Sequence, residues 1–290
     1  MPSDGPGIAD LREIARRIRV AVIRTAYHAR GGHLGGPLSA ADLLAVLYFR
    51  VLHIRPEEPD WPDRDRFVFS KGHSSIALYA AMALRGYLPE DELLTFDAPD
   101  SRLQGHPDMT RLPSLDMSTG SLGMGLSAAL GMALGARLLG RELRTYAMLG
   151  DGECQEGEVW EAAFVASRYG LDRLIAVVDH NRLQQYGWQG ATPEERLPPH
   201  RPGELAGKWA AFGWRVLLVN GHDMAAIVAT LEEAAHGDGR PTVVIADTVK
   251  GRGVSFMEGK FYWHTRIVKD EEFAQAMAEL GEPVPAEVRS

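Results

Sequence analysis

The second half of the chain alternates between short apolar runs and helical patterns, and this alternation restricts the fold more than any other feature. Strands are predicted at 145–149, 174–179, 214–220 and 241–249, and helices between them at 157–170, 201–213 and 223–235. Because the connections are short, successive strands have to run in the same direction, with the helices as crossovers. The pattern therefore predicts an α/β fold, in which a parallel sheet carries helices on both faces.

The first half of the chain adds three further elements. Apolar residues recur at helical spacing from Ile8 to Val22, RFVFS at 66–70 is a short β-prone run, and a helical pattern follows at 76–86. Ser39, followed three residues later by Asp42, predicts a capping box that starts the helix LLAVLYFRVL. No repeat and no long linker divides the chain, so we expect one domain over residues 1–290.

Composition excludes several classes of function. The chain has 31 Lys and Arg against 39 Asp and Glu, a formal net charge of −8, whereas a nucleic-acid partner requires a basic face. The longest run of low charge, 126–136, is too short to span a membrane, and the N-terminus has no secretory pattern. The single cysteine, Cys154, excludes a disulfide framework and a cysteine-based zinc site. We expect a cytoplasmic protein.

Oxygen donors follow two of the predicted strands. Gly150-Asp151-Gly152 comes after the first of them, and His180-Asn181 comes after the next. Ligands of open parallel sheets gather at the carboxyl ends of strands, and a carboxylate with an amide oxygen suits Mg²⁺ or Ca²⁺. A cation held by so few protein oxygens shares its other positions with phosphate and water. The alternative is that Gly-Asp-Gly is only a turn between strand and helix.

Histidines and glycine-spaced basic residues give a second signal. The four histidines His33, His73, His106 and His264 lie beside glycine or in a Trp-His pair, in loop contexts. A single loop histidine is usually a surface residue, but four of them predict a pocket that handles anions or protons. The segments SKG at 70–72 and VKGRGV at 249–254 suit an anion such as a diphosphate.

The segment GSLGMG at 120–125 allows a different interpretation, as a dinucleotide fingerprint. No β-prone run of adequate length precedes it, and no acidic residue follows at the expected distance. The small-residue helix that comes next, LSAALGMALGARLLG, instead favours close helix packing, including packing against another subunit. A nicotinamide site is therefore not expected here.

The motif from Asp151 to Asn181 resembles the thiamine diphosphate motif, and five ordered segments between about residues 10 and 265 resemble the N-terminal half of transketolase. These segments are GGHLGGPLSAADLLAVLYF, DRFVFSKGHSSIALYAA, GHPD with STGSLGMGLSAALGMA, GDGECQEGEVWEAA and DTVKGRGVSFMEGKFYWH. The match is similar to the small subunit of a split transketolase. It implies the thiamine diphosphate-binding fold of that family.

This resemblance implies a role for each matching residue. Asp151, Asn181 and the backbone carbonyl of Leu183 would hold Mg²⁺ (or Ca²⁺), with Gly152 against the diphosphate of the cofactor. The residues around the diphosphate and the thiazolium would be His73, Lys250 and His264.

Other matching residues would contact the cofactor rings, the substrate or a second subunit. Gly120, Ser121 and Leu122 would lie against the cofactor rings. The substrate channel would be lined by His33, His106 and His264. Glu156 matches an acid that links two cofactor sites across the dimer.

Two loops depart from the pattern of the family. Many relatives have a small residue in place of Arg182 and an acid near Tyr186, and a Gly-Lys pair is common where this chain has Thr265-Arg266. Both changes lie near the expected channel, so the usual pentose phosphate substrates are in doubt.

The resemblance also implies a partner. The family requires a glutamate from a pyrimidine-binding domain, and nothing after Val249 resembles that domain. We therefore expect a separate C-terminal subunit, a heterotetramer, and transfer of a two-carbon ketol unit from a ketose or ketose phosphate to an aldehyde. The alternatives are another thiamine diphosphate ligase or lyase, similar to 1-deoxyxylulose-phosphate synthase or to 2-oxo-acid decarboxylating enzymes, and a non-catalytic assembly subunit. The histidine set favours transketolase.

Overall fold

A five-stranded sheet forms the centre of the computed structural model, which describes residues 5–185 and 202–283. The strands are β1 (Arg66–Phe69), β2 (Thr145–Gly150), β3 (Leu174–His180), β4 (Arg215–Asn220) and β5 (Thr242–Asp247). Their order across the sheet is β1-β2-β3-β5-β4, and each neighbouring pair is parallel. All five strands that the sequence predicts are confirmed.

Helices cover both faces of this sheet. They are α1 (Ile8–His28), α2 (Gly35–Val46), α3 (Ser75–Arg85), α4 (Met124–Leu138), α5 (Gly157–Arg168), α6 (Pro202–Ala211), α7 (Met224–Ala234) and α8 (Asp270–Glu279). One core joins α1, α2, α3, α7 and α8 to the first face, and a second core joins α4, α5 and α6 to the opposite face. The predicted α/β class is confirmed.

The central strand β3 shows why both faces need a helical layer. Ile175 and Val177 belong to the first core, whereas Leu174, Ala176 and Val178 belong to the second, and all five are fully buried. Because successive side chains of a strand point to opposite faces, a continuous apolar run must be covered twice. The sheet therefore exposes only its edges and strand ends, and the ends hold the polar residues.

The predicted capping box is wrong. Helix α2 begins at Gly35, so Ser39 and Asp42 lie inside it. The backbone N–H of Leu34, the residue before the helix, donates to the carbonyl of His264 at 3.2 Å, which sets where the helix begins. The Ser39 hydroxyl lies 2.7 Å from an Asp179 carboxylate oxygen in β3 and 3.0 Å from the Gly36 carbonyl, so it donates to these acceptors and caps no backbone N–H of the first turn.

Two long stretches of the sequence, 188–202 and 252–265, have no strand or helix pattern and predict loops. The predicted irregular stretch 188–202 lies outside the described residues, as does Tyr186, apart from Pro202 at the start of α6. The stretch 252–265 is irregular as predicted, with one short helical turn at Phe261–Trp263. In the described part of the chain, no helix has both the length and the apolar character needed to cross a membrane.

We predict that Asp116 is critical for stability. It accepts two hydrogen bonds from Arg64, at 2.8 and 3.0 Å, and one from the backbone N–H of Phe67 in β1 at 2.8 Å. Both side chains of this ion pair are about nine-tenths buried, so Asp116→Ala leaves a buried guanidinium without its partner. The free energy of unfolding, measured by urea titration, should fall by about 3–5 kcal/mol.

The matched control for this variant is Asp63→Ala. Asp63 also pairs with an arginine, Arg141, but its side chain is 59% exposed. An exposed pair contributes at most about 1 kcal/mol. Equal losses in the two variants would contradict the importance of the Asp116 pair.

Candidate active site

The carboxyl ends of four neighbouring strands bring the polar segments of the sequence to one edge of the sheet. Gly150 at the end of β2 is in register with Asp179 of β3, and the Asp151 N–H donates to the Asp179 carbonyl at 3.3 Å. Asp151 and Asn181 therefore come directly after two adjacent strands, as the metal prediction requires. Lys71 follows β1 and Lys250 follows β5 at the same edge.

Asp151 and Asn181 are held by local backbone hydrogen bonds. The Asp151 carboxylate accepts from the N–H of Gly152 at 2.8 Å and from that of Arg182 at 2.6 Å. The Asn181 amide oxygen accepts from the N–H of Leu183 at 3.2 Å. Burial raises the pKa of Asp151, which is 3% exposed. A nearby cation would stabilise its charged form.

A cavity of about 440 Å³ opens at this edge. Of the predicted site residues, it is lined by His33, His73, His106, Gly120, Leu122, Asp151, Gly152, Asn181, Leu183, Lys250 and His264. Ser121 and Glu156 do not line it, and both are exposed. Residues from 33 to 264 thus meet in one place. The histidines and the oxygen donors each predicted a part of this site, and the family resemblance joined these parts into one.

Three histidines form the wall of the cavity. The ring centroids of His33, His73 and His264 are each 5.1 Å from the other two, and His106 lies 6.3 Å from His33. Such short separations would place like charges together if the rings were protonated, which disfavours the charged forms.

The electrostatic surroundings keep these rings neutral. Burial lowers the pKa of His33 to about 4 and the pKa of His264 to about 3, and it also lowers the pKa of His73. The cationic side chains of Lys71 and Lys250 lower all three further. Neutral imidazoles can both donate and accept hydrogen bonds, so this wall can exchange protons with a bound hydroxyl.

Lys250 connects the histidine wall to the oxygen donors. Its amino group donates to the Leu183 carbonyl at 3.0 Å and to Nδ1 of His264 at 2.8 Å. Burial, together with the charge of Lys71, lowers the pKa of Lys250 to about 8, so the amine is still mostly protonated at neutral pH. Because Nδ1 of His264 accepts this bond, the neutral ring carries its proton on Nε2.

A cradle of polar atoms surrounds Gly36 at the floor of the cavity. A Cβ on Gly36 would lie 2.8 Å from the Ser74 hydroxyl, 3.5 Å from the Lys71 amine and 3.6 Å from Nε2 of His73. The Ser74 hydroxyl is buried and has no hydrogen-bond partner among the residues that the structure describes. Because glycine has no side chain, these groups approach the backbone of α2 closely, and a hydroxyl, an amine and an imidazole are groups that bind phosphate oxygens. The residues therefore fit a diphosphate.

The predicted metal ligands fit a hard divalent cation. Among residues 5–185 and 202–283, no three His, Cys, Asp or Glu side chains are grouped as a metal site. A cation here would be held by one carboxylate, one amide oxygen and the Leu183 carbonyl. All three donors are oxygens, the ligand type that Mg²⁺ and Ca²⁺ prefer.

Sequence reasoning missed Glu153 and Gln184, which also line the cavity. The Glu153 carboxylate accepts from the Ser70 hydroxyl and from the N–H groups of Gly123 and Gly150, at 2.9 and 3.0 Å. It therefore joins the turn at 120–123 to the end of β2. The signal was its place in the Gly-Asp-Gly-Glu turn, directly after a strand. No local pattern indicated Gln184.

A second cavity of about 720 Å³ adjoins the first and shares His33 and His106 with it. Asp97, Asp108 and Thr265 also line it. Of the residues that depart from the family pattern, Thr265 therefore contacts this space.

The two arginines that depart from the family pattern do not line either cavity. Arg182 forms an ion pair with Asp247, and Arg266 lies 4.7 Å over the ring of Trp263 and pairs with Glu272 at 3.2 Å.

Comparison with known proteins gives consistent matches along the chain. Residues 11–289 match the family described as transketolase, thiamine diphosphate binding domain. The chain is 43% identical to the 6-deoxy-6-sulfo-D-fructose transketolase subunit SqwG of Clostridium sp. strain MSTE9, over 93% of this chain and 96% of that protein. It is 41% identical to an apulose-4-phosphate transketolase subunit of Actinobacillus succinogenes, over 93% of this chain and 96% of that protein.

The fold also matches solved structures. The crystal structure of transketolase from Campylobacter jejuni superposes with a TM-score of 0.87 at 30% identity, over 98% of this chain and 45% of that one. The chain thus spans less than half the length of this solved relative.

We predict that His33 makes the folded chain less stable in acid. Its pKa is about 4 in the folded state and 6.5 in the absence of burial, so the unfolded chain binds the proton first as the pH falls. The contribution of neutral His33 is complete above pH 6.5 and is lost progressively towards pH 4. In His33→Gln the free energy of unfolding should depend less steeply on pH, by up to about 1.4 kcal/mol per pH unit.

Urea unfolding of the wild type and of His33→Gln at several pH values between 6.5 and 4 measures this difference. Parallel curves for the two proteins would show that His33 has the same pKa in the folded and in the unfolded chain, which would contradict the prediction.

Proposed function

The chain belongs to the transketolase family, as the N-terminal, thiamine diphosphate-binding subunit of a two-component enzyme, and we propose that it supplies the diphosphate and metal half of the active site. The reaction is transfer of a two-carbon ketol unit from a ketose to an aldehyde. One domain over residues 1–290 carries this half. The main support is that the anion cradle at Gly36 and the oxygen donors at Asp151 open into the same cavity.

The cofactor site is divided between oxygen donors and basic groups. Asp151, Asn181 and the Leu183 carbonyl hold Mg²⁺ or Ca²⁺, and Lys250 neutralises part of the charge of the diphosphate. His73 donates to the same anion, and Gly152 allows its close approach. When bound, the cofactor supplies the electron sink for the two-carbon unit.

The histidine wall handles the protons of the substrate. His264 keeps its proton on Nε2 because Nδ1 accepts from Lys250, so it can donate to a substrate oxygen. His33 and His106 line both cavities and therefore lie between the cofactor and the entering sugar. Neutral rings in this position bind sugar hydroxyls and move protons to and from them. Gly120 and Leu122, the residues of the turn at 120–122 that line the cavity, would lie against the cofactor rings.

The substrate is a ketose with an anionic group at its far end. Two relatives are named for a sulfonated and a phosphorylated sugar. The second cavity has the carboxylates of Asp97 and Asp108 but no lysine or arginine in its described lining, so it suits neutral hydroxyls and disfavours the anion. The anionic end is therefore held by side chains of the partner subunit.

The partner is a separate C-terminal subunit that carries the pyrimidine-binding domain. The two closely matching relatives are themselves named as subunits. Exposed apolar side chains lie at both ends of α4 and on α5, among them Met124, Leu138, Leu139 and Phe164, of which Leu138 is 78% exposed. Exposed apolar side chains on two neighbouring helices suit a protein interface. Glu156 lies exposed beside Gly123 at the start of α4, where the partner can reach it. Two copies of each subunit form a closed assembly.

We predict that ketol transfer requires both subunits. The purified chain alone should be inactive, because the pyrimidine-binding half is contributed by the partner. Mixing it with the partner should give ketol transfer in a coupled assay and shift the mass, measured by light scattering, to a heterotetramer. Full activity of this chain alone would contradict the proposal.

We also predict that Asp151 is required for metal-dependent cofactor binding. Asp151 is the one carboxylate among the proposed ligands, so Asp151→Ala should lower the affinity of the assembled enzyme for thiamine diphosphate with Mg²⁺ by at least about 100-fold, in line with the loss of a charged ligand. Titration calorimetry measures this affinity. The control is Asp238→Ala, which removes a surface carboxylate between α7 and β5. Equal affinities in the two variants would exclude Asp151 as a ligand.

A further inference from the structure

The loop that carries Lys250 is held in place by side chains that lie outside the cavity. This loop, residues 248–254, follows β5. The Thr248 hydroxyl donates to the buried carboxylate of Asp179, and the Gly251 N–H donates to the Gly35 carbonyl at 2.9 Å. Between these two anchors, the Val249 N–H donates to Nε2 of His222 at 2.8 Å.

His222 lies in the turn between β4 and α7, 27 residues before Val249 and 180 residues after Asp42. Its Nδ1 is 2.7 Å from a carboxylate oxygen of Asp42 in α2. Asp42 in turn receives two hydrogen bonds from Arg19 of α1, at 2.5 and 3.2 Å. The side chains of all three residues are about nine-tenths buried. The contact therefore joins both N-terminal helices to the loop of Lys250.

The chemistry of these bonds selects one form of the ring. The Val249 N–H can only donate, so Nε2 of His222 must present a lone pair. The Asp42 carboxylate can only accept, so Nδ1 must carry the proton. Asp42 thus fixes the tautomer that gives the Val249 N–H its acceptor, as a carboxylate fixes a histidine that binds a metal.

We propose that His222 is a positioning residue that, oriented by Asp42 and Arg19, holds Val249 and thereby places the Lys250 amine in the cofactor cavity. The proposal rests on the proposed function, because it assumes that Lys250 binds the diphosphate. Lys250 is the next residue in the chain, and its amine lies between the Leu183 carbonyl and His264. A shift of the backbone at 249 moves that amine away from both.

The packing below the loop supports the same connection. A Cβ on Gly253 would lie 2.9 Å from Cδ of Arg19, so the aliphatic part of Arg19 lies directly against the loop. Arg19 therefore contacts the loop by packing and orients His222 through Asp42. A loss of His222 removes the polar part of this support while the packing remains.

The test compares three variants of the assembled two-component enzyme. His222→Phe fills the space without an acceptor, and His222→Gln keeps an oxygen that can accept from Val249. The dissociation constant for thiamine diphosphate with Mg²⁺, measured by calorimetry, should rise about tenfold or more in His222→Phe, as for the loss of an outer-shell partner. In His222→Gln, the logarithm of the dissociation constant should rise by no more than half as much as in His222→Phe.

A double-mutant cycle with the third variant, Lys250→Ala, separates positioning from general stability. In the Lys250→Ala background, His222→Phe should change the dissociation constant less than twofold, because its effect passes through the lysine. Asp116→Ala, which removes a buried ion pair that lines neither cavity, should lower the melting temperature without changing cofactor affinity. Independent effects of His222→Phe and Lys250→Ala would overturn the proposal, as would wild-type affinity in His222→Phe.

The same experiments distinguish failure of this proposal from failure of the proposed function. If Lys250→Ala binds the cofactor as well as the wild type does, the role assigned to Lys250 is wrong, and the role of His222 is wrong with it. If Lys250→Ala binds poorly but His222→Phe binds normally, only the positioning role is wrong. Nitrogen NMR of the assembled enzyme provides a readout without cofactor. It should show a proton on Nδ1 of His222 and none on Nε2, and the other tautomer would overturn the proposal.

Discussion

The buried ion pair between Lys71 and Asp179 joins α2, β3 and the segments that follow β1 and β5, which meet at the cavity. Asp179 in β3 is fully buried and accepts hydrogen bonds from Lys71 after β1, from Ser39 in α2 and from Thr248 after β5. Burial by itself would raise the pKa of Asp179, but Lys71 and the two hydroxyl groups hold it below its usual value, so the carboxylate stays charged. Because an unpaired buried charge is strongly destabilising, these segments have to meet at this carboxylate.

This pairing determines which charge is left for a ligand. Asp179 matches the charge of Lys71, and the imidazoles of the wall are neutral, so Lys250 is the second buried cation at the cavity. The loop at 181–183 contacts both the positive charge of Lys250 and the Asp151 carboxylate. The Arg182 N–H donates to Asp151, and the Leu183 carbonyl accepts from Lys250. A diphosphate and a divalent cation carry opposite charges, and each lowers the cost of burying the other. The cavity is therefore suited to binding both together.

Local sequence patterns were sufficient to predict the strands, the helices on both faces and the donors at the strand ends, because each of these depends on neighbouring residues. The start of α2 could not be predicted in this way. Ser39 and Asp42 form a capping pattern in the sequence, but their partners, Asp179 and His222, are 140 and 180 residues away. The same reason hid the contact of His222 with Val249. Contacts between distant side chains follow from the packing of the layers and leave no local signal.

Gly123 shows how the cavity is connected to the surface proposed for the partner. It has a φ of 90°, which favours glycine, and a Cβ there would lie 2.6 Å from Cβ of Glu156. Its N–H donates to Glu153 inside the cavity, and α4 begins at the next residue, the exposed Met124. Leu122, one residue before Gly123, lines the cavity. A partner that packs on Met124 therefore contacts the same turn that forms the cavity wall, so binding of the partner and completion of the site take place at one structural element.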